Sequence, residues 1–307
     1  METAGEGKSQ NLLPIIIMAL LFVVIHGIAL LVIGPFDAAG LAAFEDPDDP
    51  MNLVVFFVII LSMTAALLII AKYWKKQVIQ FIILGAIGYT AFFVFFPLLA
   101  LVFTDVESLG LAIIFAGLLI SVLYKYPEWY VIDLSGIIIG AGAIAIFGIS
   151  LDIFLILVLL IVLAIYDAIS VYKTKHMVDL ADTVMDLKLP VLLVVPKIRR
   201  YSLIKETKSL KQKLEEGEER DAFFMGLGDI VMPGILVAAV YHSIENGLPI
   251  ALSVLLGTLV GFVVLMTFVI KGKPQAGLPT LNGGAILGFI IGSYVFLGGL
   301  QGISFPF

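Results

Sequence analysis

The stretch LDIFLILVLLIVLAIYDAISV, residues 151–171, decides the fold. Apart from Asp152 at its head and Asp167 near its end it carries no charge. About 20 such residues carry a helix across the hydrocarbon core of a bilayer. The rest of the chain has the same character. Of its 307 residues 61% are hydrophobic and 14% charged, with a mean hydropathy of +1.13. A soluble domain has about a quarter of its residues charged, so this surplus of apolar side chains requires lipid as its solvent. Working outward from 151–171, apolar runs occur at 12–33, 53–71, 78–103, 109–124 and 131–149 before it. Three more follow, at 222–242, 249–270 and 279–300. The reading is an all-α membrane protein of nine transmembrane helices. The first run is long for a signal-peptide core and no small-residue cleavage pattern follows it, so it reads as a retained helix.

Positive charge near helix ends orients such a protein. Nine spans leave ten flanking segments that alternate between the two sides. All 18 Lys and Arg fall in five of them, every second one: at Lys8, at Lys72, Lys75 and Lys76, at Lys125, at Lys173 through Arg220, and at Lys271 and Lys273. The first segment on the other side is acidic, with Asp37, Glu45, Asp46, Asp48 and Asp49. The N-terminus is therefore expected in the cytoplasm and the C-terminus outside. The net charge of −6 averages over both sides and identifies no partner. The chain has no cysteine, which excludes disulfides, zinc thiolate sites and cysteine nucleophiles.

No internal repeat is evident, and the chain divides only at its long inner loop. Residues 1–171 form a six-helix part, 172–221 the loop, and 222–307 a three-helix part. Within the loop, Val178 to Pro196 mixes an amphipathic stretch with the run LPVLLVVP at 189–196. Eight apolar residues between prolines are too few to span and read as β-prone or interfacial. Lys205 to Arg220 is dense in Lys and Glu and reads as a solvated linker.

Burying a charge at the bilayer centre costs at least about 2.5–3.5 kcal/mol on insertion scales, so ionisable residues there point to function. Asp133 and Asp152 stand close to predicted helix starts and Glu245 in an outer loop, where interfacial or capping roles suffice. His26 and His242 read as neutral histidines bonded to a neighbouring helix. Asp167 and Asp229 differ. Counted from the inner ends at Tyr172 and Ala222, they lie roughly 7 and 10 Å deep, in one leaflet, on antiparallel neighbours. No Lys or Arg lies in either span to neutralise them. Asp229 closes Gly226-Leu227-Gly228-Asp229, whose glycines remove bulk beside the carboxylate, and Asp167 follows Tyr166, whose hydroxyl can donate a hydrogen bond. Pro279-Thr280-Leu281 opens the ninth helix on the same face, and a proline there frees backbone groups that protein, water or substrate must satisfy.

This constellation, YD in helix six, GLGD in helix seven and a Pro-led helix nine, resembles the presenilin and signal-peptide-peptidase family of intramembrane aspartyl proteases, in an archaeal-type form. The resemblance covers nearly the whole chain. It implies a catalytic dyad of Asp167 and Asp229, which activates water to hydrolyse peptide bonds inside transmembrane segments of membrane-protein or signal-peptide substrates. It implies that Pro279-Thr280-Leu281, within GLPTLNGGAILG, stands for the family's Pro-Ala-Leu motif, with Thr280 a departure. The stretch LKLPVLLVVP resembles the family's substrate-docking segment, and residues 189–196, Leu192 and Leu193 among them, are expected to pair an unwound substrate strand together with the backbone near Leu281. The long autocleaved loop of eukaryotic presenilins is missing, so an intact chain is expected to be the working enzyme. No cofactor, metal or nucleic-acid partner is expected, only transmembrane peptides and the bilayer of the cell membrane. Two rivals remain. Prepilin-type peptidases use a GxGD string, though usually with a lysine soon after it, where this chain has Ile230, Val231 and Met232. An ion or proton transporter could also use paired intramembrane carboxylates.

Overall fold

A computed structural model describes residues 3–73, 76–174, 191–198, 200–205, 221–270 and 275–303. Among these residues there are nine α-helices: α1 (Thr3–Ala38), α2 (Met51–Tyr73), α3 (Lys76–Ala100), α4 (Asp105–Lys125), α5 (Trp129–Ser150), α6 (Ile153–Ile169), α7 (Leu227–Ser243), α8 (Leu248–Val269) and α9 (Leu278–Leu297). Seven of them are long and apolar enough to cross a membrane, and α2 and α7 contain shorter apolar segments. A π-helical turn, Ser170–Thr174, extends α6. The chain is not wholly helical. Strands β1 (Leu192–Pro196) and β2 (Ala222–Gly226) form an antiparallel pair.

The β-prone reading of the loop is thus realised at Leu192–Pro196, but its partner was not foreseen. Residues 222–226 belong to a strand, not to the seventh span. An apolar run of five residues ahead of a helix has no periodicity that separates it from that helix. The amphipathic stretch from Val178 and the charged linker to Arg220 fall outside the described residues, except at their ends.

Helix α5 is the hub and packs against α1, α3, α7 and β1. A stripe of small residues lets the neighbours in. A Cβ on Gly140 would stand 3.1 Å from Leu227 Cδ1 of α7, and one on Gly136 only 2.8 Å from Leu193 Cδ2 of β1. Helices α8 and α9 approach still more closely. Gly257 and Gly261 of α8 lie directly on the backbone of Gly284 and Thr280 of α9, and Gly288 lies on that of Ser253. Without a hydrophobic force between helices in lipid, such glycine spacing is what permits dispersion contacts along two backbones. Against this, Leu31, Val106, Ile114 and Val260 are each more than half exposed. Apolar side chains in that state are suited to a lipid surround.

Polar groups at the helix ends are satisfied locally. Asp152 is the N-cap of α6, its Oδ2 accepting the N–H of Phe154 at 2.7 Å. His26 bonds within its own helix, Nδ1 lying 2.7 Å from the Phe22 carbonyl, and its Nε2 has no hydrogen-bond partner among the described residues, unlike the interhelical bond expected; His242 is exposed. Glu245 is exposed. Asp133 departs from its interfacial reading, for it is 7% exposed and accepts the N–H of Val194 at 2.8 Å. The β-hairpin covers it, and no reading of local sequence reveals that.

Candidate active site

Three helix ends and the hairpin meet at one place. Asp167 lies in the last turn of α6, Asp229 in the first turn of α7, and Leu278 begins α9. The sequence places Asp229 two turns inside a helix. The structure places it third after the N-cap, because Ala222–Gly226 is a strand and the helix starts at Leu227. Gly226 ends β2 and caps α7 with φ −60° and ψ 133°. The Asp229 carboxylate reaches back to the Gly226 amide, the return bond of a capping box with glycine at the cap.

Asp167 is 3% exposed. Its Oδ2 accepts the N–H of Leu278 at 3.0 Å, and the Gly277 amide also donates to it. Both carboxylates therefore take backbone N–H groups at the start of a helix, Asp229 at α7 and Asp167 at α9. The first four N–H groups of a helix lack partners within it and present positive potential. This is how two acids persist in an apolar bundle with no Lys or Arg in their spans.

The carboxylates converge on Gly277. A Cβ there would lie 3.2 Å from Asp229 Oδ2 and 3.3 Å from its Cγ, while the same residue's amide serves Asp167. Beside Asp229 opens a cavity of about 110 Å3, bordered by β2 from Phe223 to Gly226, by Asp229, Gly277 and Gln275, and by α1 and α8. Gln275 is held by Tyr172, whose hydroxyl donates to its Oε1 at 2.9 Å.

The other expected site residues divide. Gly226 borders the cavity, and a Cβ on it would meet Asp229 Oδ2 at 3.3 Å. Gly228 is exposed, with open space where its side chain would be. Leu227 is buried and points at α5. Tyr166 is 56% exposed. Pro279 lies in the first turn of α9, where its missing N–H costs no helical bond. Thr280 donates its hydroxyl to the Gly277 carbonyl at 3.0 Å.

Leu281 is wholly buried, and its amide donates to the Gly277 carbonyl at 3.2 Å. The backbone near Leu281, expected to pair a substrate strand, thus lies in the first turn of α9. Leu193 is also wholly buried. Leu192 and Leu193 pair with Gly226 and Met225, so the partner of this segment is β2.

Three residues escaped the sequence reading: Gly277, whose amide and bare Cα separate the acids, Leu278 through its amide, and Asn282. Asn282 is buried in α9 and donates Nδ2 to the Leu160 carbonyl of α6 at 2.9 Å, which ties the helix bearing Asp167 to the one capping it. A polar residue inside an apolar span was the only local signal, and it was available.

The sequence matches the signal-peptide peptidase, presenilin aspartyl protease family over residues 18–298. The chain belongs to this family. A solved presenilin family intramembrane aspartate protease in space group C222 is 34% identical, superposes with a TM-score of 0.67 and is matched over 93% of this chain and 99% of its own. A structure described in the same words in space group P2 gives 37%, 0.66, 91% and 96%. Comparison with curated proteins returned no match. The presenilin-family chain described here is thus a multi-pass integral membrane protein and an intramembrane aspartic protease, a peptide hydrolase. That family decides against the transporter and prepilin-peptidase readings.

Proposed function

We propose that Asp167 and Asp229 are the catalytic dyad, and that the enzyme hydrolyses peptide bonds within transmembrane segments of membrane-protein or signal-peptide substrates. The observation carrying this reading is the convergence of both carboxylates on Gly277 at the wall of a cavity that runs along β2. Two ionised carboxylates at close quarters repel, so the pair holds one proton between them. The ionised member takes a proton from water as its oxygen attacks the scissile carbonyl, and the protonated member donates to the carbonyl oxygen. The gem-diol then collapses as a proton passes to the leaving amine, giving a carboxyl and an amine terminus.

A helical carbonyl is bonded and shielded, so the substrate must enter extended. The hairpin register supports one place for it. Leu227 donates to Val191 and Lys197 to Asp221, so the pairs Leu193–Met225 and Val195–Phe223 exchange the ladder bonds. The N–H and C=O of Phe224 then point away from β1, and β2, unlike β1, borders the cavity. We assign the substrate strand to this outer edge of β2. Gly228, with open space beside it, gives the strand room. Purified protein acting on a fluorogenic transmembrane peptide tests the reading. D167A and D229A should each reduce cleavage to background, a loss of at least about 10³-fold, and F224P, which removes an outward N–H but no ladder bond, should abolish cleavage while the protein remains folded. Cleavage by either Asp variant at the wild-type rate would overturn the dyad.

We further propose nine crossings in the cell membrane, with the N-terminus cytoplasmic and the C-terminus outside. Support comes from the nine helices among the described residues and from the confinement of all 18 Lys and Arg to alternate segments.

A further inference from the structure

Asp133 is a buried carboxylate that the dyad chemistry does not use. It lies in α5, is 7% exposed, and its Oδ1 accepts the Val194 N–H at 2.8 Å, 61 residues away in the sequence. Val194 stands opposite Phe224, in a pair that exchanges no ladder bonds, so its N–H is directed outward from the hairpin. Of the two neighbouring outward positions, Leu192 and Pro196, the second has no N–H at all. One turn beyond Asp133, Gly136 leaves the notch in which Leu193 packs. Helix α5 therefore holds β1 at two adjacent residues, by a polar bond to Val194 and an apolar seat for Leu193.

We propose that Asp133 is a positioning residue for substrate. By taking the outward N–H of Val194 it closes the outer edge of β1 to strand addition and fixes the hairpin against α5. The only edge left for an incoming strand is then that of β2, at one register relative to Asp167 and Asp229. The inference rests on the assignment of substrate to β2, and it adds the residue that makes this choice of edge and register.

The test compares D133L with D133N using a transmembrane peptide whose products are sequenced. Asparagine retains an oxygen acceptor for Val194, and leucine has a similar bulk and no acceptor. For D133L we expect KM to rise about tenfold, the effect of losing one buried hydrogen bond, with kcat within about twofold and cleavage spread over neighbouring peptide bonds. D133N should restore the single cleavage position and the KM. Wild-type KM and products from D133L would overturn the proposal, as would D133N behaving like D133L, since the acceptor would then not matter. Should D133L fail to fold, V194P removes the same bond from the donor side and leaves the β1–β2 ladder intact. Scattered products from V194P support the proposal and wild-type products overturn it. F224P separates the two readings. If it cleaves normally, the β2 assignment fails whatever Asp133 does, whereas loss of cleavage in F224P beside wild-type products from D133L overturns the role of Asp133 alone.

Discussion

At the scale of single residues, the candidate site is two acids held by main-chain amides, with a glycine between them. Gly277 has an ordinary helical backbone, φ −80° and ψ −47°, so an alanine there meets no torsional penalty. Its Cβ would press on Asp229, and G277A should therefore lower kcat about 10- to 100-fold, roughly 1.4 kcal/mol per factor of ten, with little change in melting temperature. G228A is the counterpart. Its Cβ meets open space, so melting should be unchanged and any loss should appear in KM, as the substrate's share of that space is taken. Melting curves beside cleavage kinetics distinguish the two. A G277A protein with wild-type kcat would show that the acids have room to spare.

At the scale of elements, what counts is how helix ends are held together. The α6–α9 junction rests on the Asn282 bond to Leu160 and the Leu278 bond to Asp167. N282L should cost roughly 1 kcal/mol of stability, the measured range for interhelical bonds in lipid, and should cost more in activity than in melting because Leu278 shifts from Asp167. The α8–α9 contact depends on backbones touching at Gly257 and Gly284. Here a side chain meets main chain that cannot swing aside. G284V should lower thermal stability by about 1–3 kcal/mol or more, read as the melting temperature in detergent. The hairpin follows the same logic, since L193P removes a ladder bond to β2 that L192P leaves in place. L193P should lose activity and L192P should retain most of it. Equal activity of the two would mean that the ladder does not orient the site.

For the whole molecule, the charge pattern makes a prediction about sidedness. The chain has no cysteine, so single replacements report cleanly. E45C and K125C, both at exposed positions, should react with an impermeant thiol reagent from opposite faces of a sealed vesicle. Labelling from one face would remove the nine-crossing topology.

The sequence by itself determined the membrane class, the family motifs and the two acids, because each rests on a local quantity: apolar length against bilayer thickness, and the cost of a charge in lipid. It did not determine that Ala222–Gly226 is extended, since a strand paired on one edge and a buried helical turn can carry the same apolar residues. Nor did it reveal that Asp229 caps a helix, that Gly277 stands between the acids, or that Asp133 grips Val194. The cap follows from where β2 ends, and the other two are contacts between segments 48 to 111 residues apart, made through backbone groups that no side-chain pattern records. Only the tertiary structure decides which amide reaches which carboxylate, because that depends on where three helix ends and one hairpin stop.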